Sequence, residues 1–201
     1  VLDLRGRAGR YDGVYLPLYG DHQAQNAAVA VAAVETFLGD GTRPLAQDVV
    51  VDGLGDVTSP GRLQLIGVEP TILVDAAHNP HGASALRDAL TEYFDFDEWT
   101  FVIGVLADKD AHGIVAELAP IAERFHVTRS SSDRAIGITE LAGIVLHESH
   151  EDATYQYDTL EHAMEQAREW ALEAPKRGIV VTGSITLVGD AIQLAEREGW
   201  K

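Results

Sequence analysis

A run of eight residues in the middle of the chain, Asp-Ala-Ala-His-Asn-Pro-His-Gly at 75–82, carries the side chains best suited to chemistry. It follows an apolar run at 71–74, which is typical of a buried strand. An aspartate at the end of such a strand can accept hydrogen bonds from the hydroxyls of a ribose. Asp75 is therefore a candidate nucleotide-binding residue, although the same carboxylate could simply hold the turn together.

The residues after Asp75 predict the start of a helix. Pro80 suits the first helical position, which makes Asn79 the N-cap. The free backbone N–H groups of a helix start attract anions, so His78 and this helix start can together face a carboxylate ligand. The alternative is again structural, with Asn79 capping the helix and His78 an ordinary polar residue with a hydrogen-bond partner.

Two histidine pairs raise the question of a metal site. His78 and His81 are three residues apart, with Asp75 three residues before them, and His147 and His150 repeat the spacing. Neither pair has a firm third ligand nearby in the sequence, and the chain has no cysteine. We therefore predict no metal site within this chain, and we interpret the second pair, which has acidic neighbours, as the solvated end of a helix.

Apolar runs alternate with helical patterns along most of the chain, which predicts an α/β fold. We expect a mostly parallel, doubly wound (Rossmann-like) sheet with helices on both faces. Ligands of such sheets bind beyond the carboxyl ends of the strands, which singles out the loops after Val74, Val105, Thr128 and Thr182. The predicted strands are 13–18, 62–66, 71–74, 100–105, 125–128, 154–157 and 178–182, and the predicted helices are 21–38, 45–54, 80–93, 111–122, 139–147, 159–172 and 184–198.

A glycine-rich break at 39–41 is the candidate domain boundary. Residues 1–41 hold one predicted strand and one helix, whereas residues 42–201 hold a complete set of strand–helix units. The helix before the break is apolar nearly all round at 27–34, so we expect it to be well buried.

The composition limits the classes of protein and partner. The chain has 201 residues, a formal net charge of −17 and no cysteine. An acidic surface repels nucleic acid and anionic membranes, so we expect neither as a partner. No apolar run approaches the length of a membrane span, and the first residues do not read as a signal peptide. The lack of cysteine excludes disulfides and is compatible with a reducing compartment such as the cytoplasm.

Three motifs of nucleotide and acyl-transfer enzymes are absent from the sequence. There is no G-x-x-x-x-G-K-[ST], no G-x-G-x-x-G between a strand and a helix, and no G-x-S-x-G. The dipeptide Gly-Lys does not occur at all. A self-contained kinase, nucleotide hydrolase or dehydrogenase is therefore not expected.

Five short elements are spread over nearly the whole chain. They are G-D-H-Q-A-Q-N-A at 20–27 with Glu35, S-P-G-R-L at 59–63, the segment 75–82, Gly104 with Asp108-Lys109-Asp110, and T-G-S at 182–184 with L-V-G at 187–189. In this order they resemble the motifs of the folylpolyglutamate synthase and dihydrofolate synthase family, which belongs to the Mur ligase superfamily.

The resemblance implies an ATP-dependent ligase that adds L-glutamate to folate, or to dihydropteroate, through an acyl phosphate. Residues 1–41 would be the tail of the central ATPase domain, and residues 42–201 the Mur-ligase-type C-terminal domain. The family's phosphate loop and Mg²⁺ ligands would precede this chain in the parent protein. We therefore expect the chain alone to be inactive, and the parent to be a cytoplasmic enzyme.

Residue by residue, the resemblance implies five binding positions and no catalytic one. Asn26, Arg62 and Asp75 match positions that contact ATP. His78 and Ser184 match positions near the incoming glutamate. Ser184 has a structural alternative as the N-cap of the last helix.

Two other interpretations stay open at the level of sequence. One is the C-terminal domain of a cell-wall Mur ligase, which shares the fold and the mechanism. The other is a non-catalytic, Rossmann-like binding domain, which the absent phosphate loop favours for the chain as it stands. Lys109 and Asp110 match a loop that lines the interdomain cleft in the family, and Thr186 stands where some members carry tyrosine.

Overall fold

The structure is a computed structural model that describes residues 1–200. The described chain forms two compact units, of which the first is Val1–Pro60 and the second begins at Gly61. Each unit has a hydrophobic core built from its own residues. Among residues 1–200, no helix has both the length and the apolar character needed to cross a membrane.

The first unit is a two-stranded antiparallel sheet with two helices. Its strands are β1 (Leu2–Arg5) and β2 (Arg10–Val14), and its helices are α1 (Asp21–Gly39) and α2 (Gln47–Gly55). β2 begins three residues before the predicted strand at 13–18 and overlaps it at residues 13 and 14, and β1 has no counterpart among the predicted elements. The buried core consists of Leu4, Tyr11, Val14, Ala27, Val31 and Val50.

Helix α1 buries one face only, so the prediction that it is well buried is wrong for the described residues. Gln23, Ala27, Val31 and Glu35 are buried and follow one stripe at a spacing of four. The opposite face is apolar but open, with Phe37 and Val29 87% and 69% exposed. The sequence pattern could not separate the two faces because every position at 27–34 is apolar.

Glu35 ties α1 to the turn between β1 and β2. Its carboxylate is fully buried and accepts hydrogen bonds from the Tyr11 hydroxyl at 2.6 Å and from the backbone N–H groups of Ala8, at 2.9 Å, and Arg7. Burial alone would raise the pKa of Glu35. The hydrogen bonds together have the larger, opposite effect, so the pKa lies below its ordinary value. The residue is therefore a charged anchor inside the first unit.

The second unit is a six-stranded sheet with five helices. Its strands run in the order β3-β4-β8-β5-β6-β7, and all pairs are parallel except β3 with β4. The strands are β3 (Gln64–Gly67), β4 (Ile72–Val74), β5 (Glu98–Ile103), β6 (Ala122–Val127), β7 (Thr154–Gln156) and β8 (Arg177–Thr182), and the helices are α3 (Pro80–Tyr93), α4 (Ala111–Leu118), α5 (Ile138–Glu148), α6 (Leu160–Leu172) and α7 (Ile185–Glu198). The predicted α/β class is confirmed.

The helices cover both faces of this sheet, because alternate residues of each strand point to opposite sides. Leu73, Phe101 and Val180 pack with α3, α4 and α5 on one face. Ile72 and Val181, which neighbour them along the strands, pack with α6 and α7 on the other. The sheet is therefore doubly wound.

Residues 42–60 pack within the first unit, although the sequence assigned them to the second domain. Leu45 donates its backbone N–H to the Tyr11 hydroxyl at 2.8 Å, and Val50 lies in the first core. The break at 39–41 ends α1, with Asp40 in the left-handed conformation. The compact units divide later, between Pro60 and Gly61. How the two units correspond to family domains stays a prediction.

We expect residues 61–201 to fold without the first unit. Both hydrophobic clusters of the second unit are made of residues after Pro60, so its core loses nothing when residues 1–60 are deleted. Denaturant unfolding of this fragment should be one cooperative transition. A chain starting at Thr42 should unfold at the same midpoint, with residues before Gly61 open to limited proteolysis. Failure of residues 61–201 to unfold cooperatively would show that the boundary is wrong.

Candidate functional site

The loops after β4 and β8 lie side by side at the carboxyl edge of the sheet, by which we mean the end where the parallel strands finish. Val74 pairs with Val181 at the ends of these strands. Beyond them, Gly183 donates its N–H to the carbonyl of Ala77 at 3.1 Å. The Thr182 hydroxyl donates to the same carbonyl at 3.4 Å. His78 and Ser184, which follow directly, therefore lie on one edge of the sheet.

A helix begins at each of these loops, and the two helices cover opposite faces. The Asn79 side chain accepts the N–H of Gly82 at 2.8 Å and caps α3, as the sequence predicts. The Ser184 hydroxyl accepts the N–H of Leu187 at 3.1 Å and caps α7. Because α3 and α7 diverge to different faces, we expect a ligand crevice between the ends of β4 and β8. Two helix starts at one crevice can stabilise an anion with their free N–H groups.

Asp75 holds the turn that leads into β3. Its two carboxylate oxygens accept the backbone N–H groups of Leu63 and Ala77, each at 2.9 Å, and the residue is only 8% exposed. The carboxylate of Asp75 therefore does hold the turn together, which was the structural alternative to nucleotide binding. The contact with Leu63 also fixes the position of the neighbouring residue, Arg62, whose side chain is exposed.

His78 is half-buried and has one defined partner. Its Nδ1 lies 2.9 Å from the carbonyl oxygen of Ala76. A carbonyl can only accept, so Nδ1 carries the proton and the ring is held through it. Nε2 is then the atom available to a ligand: it can accept from an ammonium group when the ring is neutral and donate to a carboxylate when the ring is charged.

Ser184 is 1% exposed and belongs to a chain of hydroxyl groups. Its Oγ lies 3.2 Å from the Thr186 hydroxyl, which donates to the Ser130 hydroxyl at 3.0 Å. The hydroxyl of Ser184 is thus engaged both as a helix cap and toward Thr186. Sequence reasoning missed Ser130, although its place just after β6, at the carboxyl edge, could have drawn attention to it.

Among the cavities of the second unit are two that none of the five predicted site residues lines. One, of about 520 Å³, is lined by residues of α6 and the end of α7, including Arg168 and Trp200. The other, of about 380 Å³, is lined by Arg129, Ser130 and Asp190 among others, and so borders the hydroxyl chain. The site is better defined by the crevice and its helix starts than by these cavities.

The carboxyl edge is so crowded that two glycines approach each other in backbone contact. Gly183 has φ +100°, and a Cβ added there would lie 2.8 Å from the carbonyl oxygen of Gly104. A Cβ on Gly104 would in turn lie 3.0 Å from the carbonyl oxygen of Thr128. The glycines of the two motifs thus let three strand ends come together.

Gly183→Ala is expected to lower the free energy of unfolding of the second unit by on the order of 1–3 kcal/mol, from backbone strain alone. The matched control is Gly143→Ala on the exposed side of α5, where an added Cβ meets nothing within 4 Å. That change should raise stability by ~0.5–1 kcal/mol, since glycine weakens a helix interior. Urea denaturation measures both. Equal midpoints for the two variants would contradict the crowded geometry.

The loop at 108–110 is organised by its own charges. Lys109 Nζ lies 3.2 Å from Asp108 Oδ2, and Arg134 lies 3.6 Å from the other carboxylate oxygen. The hydrogen bond from Lys109 lowers the pKa of Asp108, and the charge of Arg134 adds to the effect. Asp110 accepts the N–H of Gly113 at 2.9 Å and caps α4. Asp110 therefore positions α4 after the end of β5.

Asn26 lies on α1, in the first unit. Its side chain is exposed and donates from Nδ2 to Gln23 Oε1 at 3.2 Å. The other four predicted site residues belong to the second unit, where Asp75, His78 and Ser184 are brought to the carboxyl edge. Arg62 stands next to Leu63, which is bonded to Asp75.

Comparison with known proteins connects this geometry to a family. Residues 61–185 match the family model described as Mur ligase, glutamate ligase domain. The chain is also 40% identical to the dihydrofolate synthase/folylpolyglutamate synthase of Mycobacterium tuberculosis, in a match that covers 98% of this chain and 43% of that protein.

Two solved structures are similar in fold. A folylpolyglutamate synthase of Mycobacterium tuberculosis complexed with ADP and AMPPCP matches with a TM-score of 0.93 and 42% identity, over 97% of this chain and 45% of that one. A bifunctional folylpolyglutamate synthase/dihydrofolate synthase with Mn, AMPPNP and L-glutamate bound matches with a TM-score of 0.78 and 26% identity, over 94% of this chain and 42% of that one. The chain spans less than half the length of these relatives. The chain belongs to the Mur ligase family, and its residues 61–185 form the glutamate ligase domain.

Proposed function

We propose that this chain is the C-terminal part of an ATP-dependent ligase that adds L-glutamate to folate, and to dihydropteroate in the dihydrofolate synthase reaction. The observation that carries the proposal is that the starts of α3 and α7 lie side by side at the carboxyl edge of a glutamate ligase domain. A cytoplasmic location belongs to the same proposal. The relatives described above are folate enzymes, which favours this function over that of a cell-wall ligase.

The crevice suits glutamate because of the charges that glutamate carries. Its carboxylates are attracted by the N–H groups at two helix starts, and Nε2 of His78 can contact either its ammonium group or a carboxylate. Ser184 contributes through its cap, which holds the start of α7 in place. We propose that these groups hold glutamate with its amino group directed at the acyl carbon.

The proposed ATP contacts are Asn26, Arg62 and Asp75. Arg62 is exposed, and among the residues that the structure describes it forms no ion pair, so its planar guanidinium is available for a phosphate. Asp75 lies at the carboxyl edge, in a turn that is bonded to the residue next to Arg62, and a carboxylate at the end of a strand can accept ribose hydroxyls. ATP would supply the phosphoryl group that activates the folate carboxylate as an acyl phosphate.

The Mg²⁺ that accompanies ATP is expected to bind outside this chain. Mg²⁺ prefers oxygen ligands, mainly carboxylates, water and phosphates. Within residues 1–200, the group of side chains close enough to share a metal ion is His112, His147 and Glu148, which is rich in nitrogen. That group does not fit Mg²⁺, and we propose that the Mg²⁺ ligands precede this chain in the parent.

Arg62→Ala in the full-length parent enzyme tests the ATP assignment. Losing a hydrogen bond to a charged group costs about 1.5–3 kcal/mol, so the KM for ATP should rise at least about tenfold. The KM for glutamate and the unfolding midpoint should stay unchanged, because Arg62 is exposed. Arg62→Lys, which keeps the charge but loses the planar fork, should fall in between. An unchanged KM for ATP would remove Arg62 from the site, and a parent without glutamate ligation would end the proposed function.

A further inference from the structure

Three side chains that the proposed ligase does not use meet at the contact between α4 and α5. His112 lies in the first turn of α4, and His147 and Glu148 lie in the last turn of α5. Both histidines direct Nδ1 at the same oxygen, Glu148 Oε1, at distances of 2.8 Å and 2.9 Å. The two rings stand edge to face, with their centroids 5.6 Å apart.

The ligand atoms of the three side chains are close enough together to share one metal ion. The candidate ligand atoms all lie within 4.8 Å of one another. A tetrahedral zinc ion with ligands at about 2.0–2.1 Å would need them roughly 3.3 Å apart, which rotations of the two exposed histidine side chains can reach. Both rings are exposed, so each Nε2 can remain in contact with solvent.

We propose that His112, His147 and Glu148 bind a divalent transition-metal ion of the zinc class. Two imidazole nitrogens and one carboxylate oxygen form a familiar ligand set for such ions, and water would complete the coordination. The strong net negative charge of the chain, −17, also favours cations near its surface. The bound ion would fasten the start of α4 to the end of α5.

The sequence predicted no metal site because it paired His147 with His150 and found no third ligand. The missing ligand comes from His112, on a different helix and 35 positions before His147. Only the packing of α4 against α5 brings it into place. The inference is independent of the proposed ligase function and can be tested without any assay of activity.

The experiment is a titration of the tag-free 201-residue chain with ZnCl₂. Calorimetry measures the binding, and thermal unfolding with and without Zn²⁺ gives the shift of the unfolding midpoint. One ion should bind per chain and raise the midpoint, because binding to the folded state stabilises it. His112→Gln and His147→Gln should each weaken Zn²⁺ binding by at least about tenfold. Losing even a hydrogen-bond partner of a metal ligand typically costs about tenfold or more in affinity, and losing the ligand itself should cost at least as much. His162→Gln, which changes an exposed histidine of α6, should leave binding intact.

Cobalt provides an independent readout, because a tetrahedral site gives Co²⁺ a strong visible absorption. That absorption should appear with the unchanged chain and be lost in the His112→Gln and His147→Gln variants. Both substitutions are on exposed side chains, so the variants should unfold at the midpoint of the metal-free chain. Zn²⁺ binding that is not saturable, or that survives both substitutions, would overturn the proposal.

Discussion

The purified 201-residue chain, supplied with ATP, Mg²⁺, folate and glutamate, is expected to form no glutamate amide and to release no phosphate above background. Phosphoryl transfer depends on groups that neutralise the phosphates, and the chain has no Gly-Lys dipeptide and therefore no phosphate loop of the G-x-x-x-x-G-K-[ST] type. Under the proposed function, the crevice would hold glutamate, but it would lack the groups that activate the folate carboxylate.

The comparison for that experiment is the full-length parent under the same conditions. Amide formation is followed by chromatography of the folate products, and phosphate release by a coupled assay. Activity that copurifies with the 201-residue chain would mean that the phosphate-binding groups lie within it, in a form that the sequence motifs do not reveal.

His78→Ala in the full-length parent is expected to raise the KM for glutamate at least about tenfold, which corresponds to one lost hydrogen bond to a charged group. The KM for ATP should change little, because Asp75 and its contacts to Leu63 and Ala77 do not involve the ring. The side chain of His78 makes one backbone contact, to Ala76, so the fold should survive the change.

The matched control is His81→Ala, which removes an exposed ring three residues later, in the first turn of α3. Both kinetic constants should then stay at their original values. If His78→Ala left the glutamate KM unchanged, or raised both KM values equally, His78 would be a residue that only shapes the turn.

Much of the second unit could be predicted because its signals are local. Helix α3 begins and ends where the sequence predicts, since Asn79 and Pro80 mark its start by capping and by a fixed φ angle. The predicted strands of this unit overlap the observed ones, because their apolar runs are short and separated by helical patterns. The edge on which His78 and Ser184 meet follows from parallel pairing, a general rule of such sheets.

What could not be predicted depends on contacts between distant residues. Strand β1 exists because it pairs with β2 and because Glu35 holds their connecting turn. The hydroxyl chain joins Ser130 to Thr186, which lie 56 positions apart. The histidines of α4 and α5 meet only in the folded unit. None of these pairs produces a pattern in the local sequence, so hydrophobic periodicity and residue spacing could not predict them.

The antiparallel direction of β3 decides where the second unit is attached to the rest of the chain. Gln64, at the start of β3, pairs with Val74, so the chain enters at the carboxyl edge and not at the opposite end of the sheet. The connecting segment at 61–63 is thus held by the carboxylate of Asp75, which accepts the backbone N–H of Leu63. A ligand bound at this carboxylate would therefore act directly on the backbone through which the chain enters the sheet. Because coupling free energies are reciprocal, a change in that backbone would alter the affinity for the ligand by the same factor.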